Sequence, residues 1–284
     1  MRGGRRIRRQ TGPFPSIENG SAVVMWRDEA SRTPMLLRMI DETEKLRAFA
    51  TMGSPAFGAA EGITLEFGIL KSNDALFFEG SKRGDSVFFL GTKPLFSHSL
   101  FIDTMLDTFE DCGNISTIYT VSCIPAQTSH RKKRSTLYIF NSEGCRERFE
   151  DRHAKIKNKE FSTIPGLPQE PPSINLYVAW KAALRSIDCV NILVETPFYM
   201  SLIGDAAAEA EAARAVRKML GRRSRLDKET KFISESQTAA IDYITQNSED
   251  LKDYIEKIEN GEILSIEEMQ LMMSELGRVL ETDK

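Results

Sequence analysis

"SVFFLGTKPLFSHSLFIDTMLDTFEDCGNISTIYTVS", residues 86–122, changes its hydrophobic rhythm twice. Residues 87–90 form an unbroken apolar run, the pattern of a strand buried on both faces. From Ser97 the spacing lengthens to that of a helix. Phe101, Met105, Thr108 and Phe109 fall on one side of it, and Gly113 stands where a helix stops. Residues 115–122 return to β-formers. Strand, helix, strand in this stretch predicts a parallel pair joined by a right-handed crossover, since parallel partners cannot be linked by a tight turn.

The same alternation extends on both sides. Toward the carboxyl end, "RSTLYIFN" (134–141) and "CVNILVE" (189–195) read as strands. Ser173 caps a helix with Leu176, Trp180, Ala183, Leu184 and Ile187 at helical spacing. Asp205 caps an alanine-rich helix whose Arg214, Arg217 and Lys218 suit the negative end of its dipole. Between them, residues 144–172 are charged and then proline-rich, and are expected to form an exposed excursion, lid or linker. Toward the amino end, "SAVVMW" and "RAFATMG" read as strands, residues 28–46 as loosely helical, and "FGIL" with "ALFFEG" as a hairpin. The expected fold is three-layer α/β/α around a mainly parallel central sheet.

From residue 229 onward nothing resembles a strand. Two amphipathic segments break at Asn260 and Gly261, and Ser265 with Glu268 has capping-box spacing. Leu251, Ile255 and Ile258 form one apolar stripe; Met269, Met272, Met273, Leu276 and Leu280 form another. These segments predict a C-terminal helical hairpin. The expected division is a disordered basic arm over 1–20, an α/β domain over 21–228 and an acidic helical segment over 229–284.

Composition narrows the function classes. The 284 residues are 41% hydrophobic and 28% charged, ordinary for a globular chain, and no apolar run reaches bilayer length. No secretory signal follows the basic start, so a cytoplasmic location without membrane insertion is expected. Residues 229–284 hold 14 acidic and 5 basic side chains, so the net charge of −3 conceals an excess of +6 over the rest. Arg2, Arg5, Arg6, Arg8 and Arg9 supply much of that excess. With no interleaved aromatics, the arm reads as a solvated tail, not as a nucleic-acid arm. Cys112, Cys123, Cys145 and Cys189 form no C-x-x-C pair and are expected to be reduced. His98, His130 and His153 stand apart, so no metal site is expected. "GSPAFGAA" from Gly53 has phosphate-loop spacing but Ala59 and Ala60 where lysine and a hydroxyl are required, and reads as a turn. No cofactor is implied.

Two loops define the candidate site. "CIPAQTSHRKKR" (123–134) and "TPFYMSLIGD" (196–205) each follow a strand, and parallel strands would bring both to one edge of the sheet, where open α/β sheets hold ligands. His130, Arg131, Lys132, Lys133 and Arg134 would then neighbour Glu195 and Tyr199. One reading is a basic pocket or partner surface; the other is a solvated turn with Glu195 as counter-charge. Glu195 and Asp205 could also form a carboxylate pair, although Asp205 stands where a helix cap is needed. Pro197 ends the strand ladder between them.

These loops resemble the proteasome assembly chaperone family of the second-subunit type. "SCIPAQTSHRKKR" is similar to its G-x-P-x-x-x-x-H-x-R loop through Pro125, His130 and Arg131, with Cys123 in place of the glycine. "LVETPFYMSLIGDAAAEAEAARAVRKML" resembles its L-x-E-x-P-x-Y strand end and following helix through Leu193, Glu195, Pro197, Tyr199, Asp205, Ala206 and Ala207. "RGDSVFFLGTKP" is similar to a third motif. The resemblance spans residues 21–230. It implies a phosphorylase-like α/β architecture and a homo-oligomer, often a trimer. It further implies a non-enzymatic assembly chaperone or scaffold acting through protein surfaces, with His130, Arg131, Arg134, Glu195, Pro197, Tyr199 and Asp205 as binding residues. Relatives that dock on proteasome rings use a terminal hydrophobic-Tyr-X tripeptide; this sequence ends Thr282, Asp283, Lys284, so docking by such a tail is not expected. The alternative is an enzyme or small-molecule binder taking a nucleoside or phosphate-type ligand near His130 and Glu195.

Overall fold

A computed structural model describes residues 8–27, 38, 40–42, 44–53, 63–66, 69–72, 75–80, 84–153, 173–222 and 228–282. Five strands come first: β1 (Arg8–Gln10), β2 (Ile17–Arg27), β3 (Leu46–Met52), β4 (Ile63–Glu66) and β5 (Ile69–Ser72). Next are β6 (Ala75–Gly80), β7 (Ser86–Thr92), α1 (His98–Asp111), β8 (Gly113–Ala126), β9 (Thr136–Phe140) and α2 (Glu143–Arg152). After α3 (Ile174–Leu184) and β10 (Asp188–Pro197), a 3-10 turn covers Phe198–Leu202. Four helices close the chain: α4 (Ala206–Met219), α5 (Lys228–Gln246), α6 (Glu249–Glu259) and α7 (Ile266–Thr282).

Eight strands form one sheet in the order β1-β3-β6-β7-β2-β8-β10-β9, while β4 and β5 pair separately. The central four, β7-β2-β8-β10, are parallel; both flanks are antiparallel. β7 and β8 are thus parallel, as residues 86–122 predict, but they are not neighbours, because β2 lies between them. α1 ends as expected: Cys112 closes it and Gly113, at φ 117°, opens β8. A Cβ at Gly113 would meet the Ile17 carbonyl oxygen at 2.2 Å, so glycine is required where β8 starts against β2.

The period-two alternation of the strands builds the layers. Ala22, Val24, Trp26, Val87 and Phe89 face α1 and α3, meeting Phe101, Met105, Phe109, Val178 and Ala182. Val23, Met25, Phe88, Leu90, Val190 and Ile192 face the other way, onto α2 and α4. Burying the apolar faces of β2 and β7 on both sides contributes roughly 25 cal/mol per Å2 removed from water, which explains why the central strands lack polar alternation.

Several expectations are corrected. From Arg8 onward the stretch read as a disordered arm is ordered at the sheet edge: β1 pairs with β3, and Arg8 bridges Asp111 at 2.5 Å. The hairpin expected between "FGIL" and "ALFFEG" is absent; β5 pairs with β4, and β6 joins β3 and β7. The excursion expected from 144 begins as α2, capped by Ser142 and anchored by buried Cys145 and Phe149. Two apolar residues one turn apart are too few to reveal such a helix in sequence. On α3 the apolar spacing points to the wrong face: Val178, Ala179 and Ala182 are buried, whereas Leu176, Trp180 and Leu184 are exposed. The turn read at 53–60 and most of the helix read at 28–46 lie outside the described residues, and Leu46 belongs to β3.

The C-terminal segment contains three helices, not two. α6 and α7 match the expected hairpin, with Gly261 at φ 82° between them. The capping box forms in both directions: Glu268 Oε2 accepts the Ser265 N–H at 2.7 Å, and Ser265 Oγ accepts the Glu268 N–H at 3.2 Å. Leu251, Ile255, Ile258, Met272 and Leu276 pack with Tyr199 and Met200, docking these helices on the end of the sheet. Among the described residues no helix is long and apolar enough to cross a membrane, and no group of acids, histidines and cysteines could hold a metal. None of the four cysteines is joined in a disulfide.

Candidate functional site

The parallel register of β8 and β10 brings the two loops together. Pairing continues to Ala126 and Pro197, so both strands end at one level and their following segments leave side by side. Cys123 and Pro125 therefore lie in β8 itself, and the loop proper begins at residue 127. Pro197 is the last paired residue of β10, after which Tyr199 enters the 3-10 turn.

Arg134 and Asp205 form the first connection. Both side chains are buried; Nε reaches Asp205 Oδ2 at 2.6 Å and one Nη reaches Oδ1 at 3.2 Å. The other Nη donates to the carbonyls of Lys132, His130 and Ser129, at 2.6, 3.2 and 3.4 Å. Arg134 thus holds its own loop in shape while gripping the next. Asp205 also caps α4, accepting the N–H groups of Ala207 and Ala208 at 3.1 Å, and it takes the Thr196 hydroxyl at 2.7 Å. Gln237 on α5 completes this helix start, accepting the Ala206 N–H and donating to the Gly204 carbonyl.

His130 and Tyr199 form the second. Tyr199 Oη accepts the His130 backbone N–H at 2.8 Å and lies 2.8 Å from Nδ1; Nε2 lies 2.9 Å from Asp242 Oδ1 on α5. Since a carboxylate only accepts, Nε2 carries the ring proton and donates to Asp242, and the phenol donates to Nδ1. Every polar atom of the imidazole is engaged, and its side chain is 0% exposed. Burial holds the His130 pKa below its ordinary 6.5, outweighing the opposing pull of Asp242. Burial likewise pushes the Tyr199 phenol up. Asp242 would be raised by its own burial, but the bonds from His130 and Arg131 hold it low. Half-exposed Arg131 bridges Asp242 on α5 and Glu259 on α6 at 2.7 and 3.0 Å.

Acidification exposes the cost of keeping His130 neutral. The unfolded imidazole titrates near 6.5 and the native one lower, so in that window the unfolded chain binds a proton that the native chain lacks. Stability is therefore full above pH 6.5 and declines as pH falls toward the native value. His130 alone gives a slope of at most about 1.4 kcal/mol per pH unit. His153, lowered by burial and then by Lys218 and Arg152, acts in the same direction. Urea midpoints for the wild type are expected to drop between pH 7.5 and 5.5. The His130→Gln variant should be less stable at pH 7.5 and show a shallower fall; an equally steep fall would assign the effect elsewhere.

Glu195 does not join this cluster. Strand alternation sends Thr196 to the α4 side, where it meets Asp205, and turns Glu195 toward the α3 side. The counter-charges of the basic loop are Asp205, Asp242 and Glu259, not Glu195. Lys132 and Lys133 are exposed. Asp242, Glu259 and Gln127 were not identified from sequence. Gln127 clamps the backbone of Leu264, accepting its N–H at 2.6 Å and donating to its carbonyl at 3.0 Å. The available signal was the basic run itself: a buried arginine requires a paired acid, although its position in the chain is unspecified.

A three-layer α/β domain whose own C-terminal helices are docked against one end of its sheet is the class this geometry defines. The chain belongs to the PAC2 family, whose model matches residues 35–239. No curated protein is similar enough in sequence to match it. Among solved structures, a Corynebacterium glutamicum protein of unknown function has a TM-score of 0.70 at 12% identity, covering 90% of this chain and 97% of its own. The Mycobacterium tuberculosis proteasome-assembly chaperone homologue scores 0.65 at 15% identity, covering 83% and 99%. Pyrococcus furiosus PbaB, an archaeal proteasome activator, scores 0.65 at 14% identity, covering 84% and 97%. At these identities the likeness establishes a shared fold.

Proposed function

We propose that the chain is a non-enzymatic assembly chaperone or scaffold that acts in the cytoplasm through protein surfaces and associates with copies of itself. The observation that carries this reading is the closed state of the rim. His130, Tyr199, Arg134 and Asp205, the groups best suited to a ligand, are buried and bonded to one another or to α5. Family membership and the chaperone and activator roles named for two structural relatives point the same way. Four cysteines outside any disulfide suit a reducing compartment. The partner surface is assigned to the end of the helical segment, where Ile263, Ile266 and Leu271 are exposed amid an excess of acids. That combination fits a partner patch that is apolar with a basic surround.

The test uses the full tagged chain. It should retain a protein partner at fixed stoichiometry from native extract, and the double variant Ile263→Asp, Ile266→Asp should lose it while keeping its fold. A thermal shift produced by nucleotides, nucleosides or phosphate, and abolished by Arg131→Ala, would overturn the proposal in favour of a small-molecule site.

A further inference from the structure

Charge gathers a second time at the opposite end of the sheet. The β8–β10 pairing that ends at the rim starts at Thr117 and Asp188, about 30 Å earlier along the strands. There, on the side that α2 and α4 cover, a small cleft opens. Buried Tyr119, Val190 and Cys145 line it together with Arg148, Arg152 and His153 from the end of α2. It encloses about 10 Å3, room for one water-sized group.

The charges around this cleft do not balance. Asp188 is the one acid that lines it, and Arg148 takes both its oxygens, at 2.8 and 2.6 Å. Arg152 and, from the end of α4, Lys218 are exposed and have no ion pair among the described residues. These two cations act on half-buried His153, and both add to burial in opposing its protonation. Arg152 also acts on the Tyr119 hydroxyl deeper in the cleft. The His153 ring is held against Phe149, with 4.8 Å between centroids. A helix dipole favours a cation at each of these helix ends, but one end offers only about half an elementary charge. Two full cations beside one imidazole therefore leave positive charge over.

We propose that this cleft binds a tetrahedral oxyanion, either free phosphate or the phosphoryl group of a small phosphate ester. One oxygen enters the cleft and the others stay at its mouth. There Arg152 offers a fork of N–H donors and Lys218 a compact charge, the two recurrent ways of holding phosphate. The enclosed space admits an oxygen and excludes a ring or base, so recognition rests on the anionic group, and whatever carries it faces solvent. The site lies apart from His130, Arg134 and Tyr199, so it stands or falls independently of the partner surface proposed above.

Proton NMR on the full chain tests this, because His98, His130 and His153 are its only histidines and His153→Gln identifies one imidazole signal of the three. Millimolar inorganic phosphate at pH 7 should move the His153 signal toward the imidazolium position, since an anion offsets the repulsion from Lys218 and Arg152. Sodium chloride at equal ionic strength should move it far less. Glycerol phosphate should act as inorganic phosphate does; a response to inorganic phosphate alone would support the site and assign it to the free ion. Arg152→Ala, an exposed change that should leave the circular dichroism intact, should weaken the phosphate response about tenfold or more, the loss of a charge-assisted hydrogen bond. Arg131→Ala at the rim should leave it unchanged. Equal shifts with phosphate and chloride, no shift with phosphate, or a phosphate shift that survives Arg152→Ala combined with Lys218→Ala would overturn the inference. A response abolished by Arg131→Ala would move the anion to the rim and overturn the partner-surface reading as well.

Discussion

Arg134→Ala is expected to destabilise the fold by about 3–5 kcal/mol, the range for removing one partner of a buried ion pair. Asp205 would remain buried, held by the Thr196 hydroxyl and two α4 N–H groups but without its cation. The loop would also lose the donor that gathers the carbonyls of Ser129, His130 and Lys132. Arg134→Lys should recover only a minor part, because one ammonium cannot pair both Asp205 oxygens and three carbonyls together. Denaturant unfolding measures the loss. A double-mutant cycle with Asp205→Ala then separates the pair from its surroundings, and the double variant should cost clearly less than the sum of the singles. A cost under about 1 kcal/mol for Arg134→Ala would mean that the pair behaves like an exposed one.

Arg134 also shows where sequence reading stops. The strands and the helix over 86–122 could be read because their burial is local: each side chain's fate follows from a period of two or 3.6. The Asp205 cap could be read for the same reason, since the N–H donors it accepts lie two and three residues on. The partner of His130 could not, because Asp242 is 112 residues away on a helix whose only advance signal is amphipathicity. Glu195 was set beside the basic loop because it lies at the end of its strand, but strand position alone does not give the face: the adjacent Thr196 reaches Asp205, and in a period-two element one position is the difference between opposite faces. α3 was misread because it is apolar on both sides; periodicity cannot select the buried face when the exposed face carries leucine and tryptophan as well. The place of β2 between β7 and β8 is topological, and no short-range pattern encodes it.

These limits meet at Tyr199, the residue that joins the two readable halves. Its ring is fully buried among Met200, Ile241, Leu251, Ile255 and Leu276, and its hydroxyl serves both the backbone and the ring of His130. Tyr199→Ala removes an aromatic ring from the contact between sheet and C-terminal helices, and large-to-small changes of this kind cost about 3–5 kcal/mol. It also strands the His130 N–H and Nδ1, each a buried polar group without its partner. Tyr199→Phe keeps the ring and loses only the hydroxyl, so it should cost about 1–3 kcal/mol. The two variants should therefore differ in kind as well as in size. Hydrogen exchange on Tyr199→Ala should accelerate across α5, α6 and α7 while β2, β7 and β8 stay protected, since the central sheet keeps its own two apolar layers. Tyr199→Phe should leave α6 and α7 protected and speed exchange at the His130 amide. Uniform acceleration over the whole sheet in Tyr199→Ala would instead make the helical segment inseparable from the α/β core, and the docked-helix description of the rim would have to be given up.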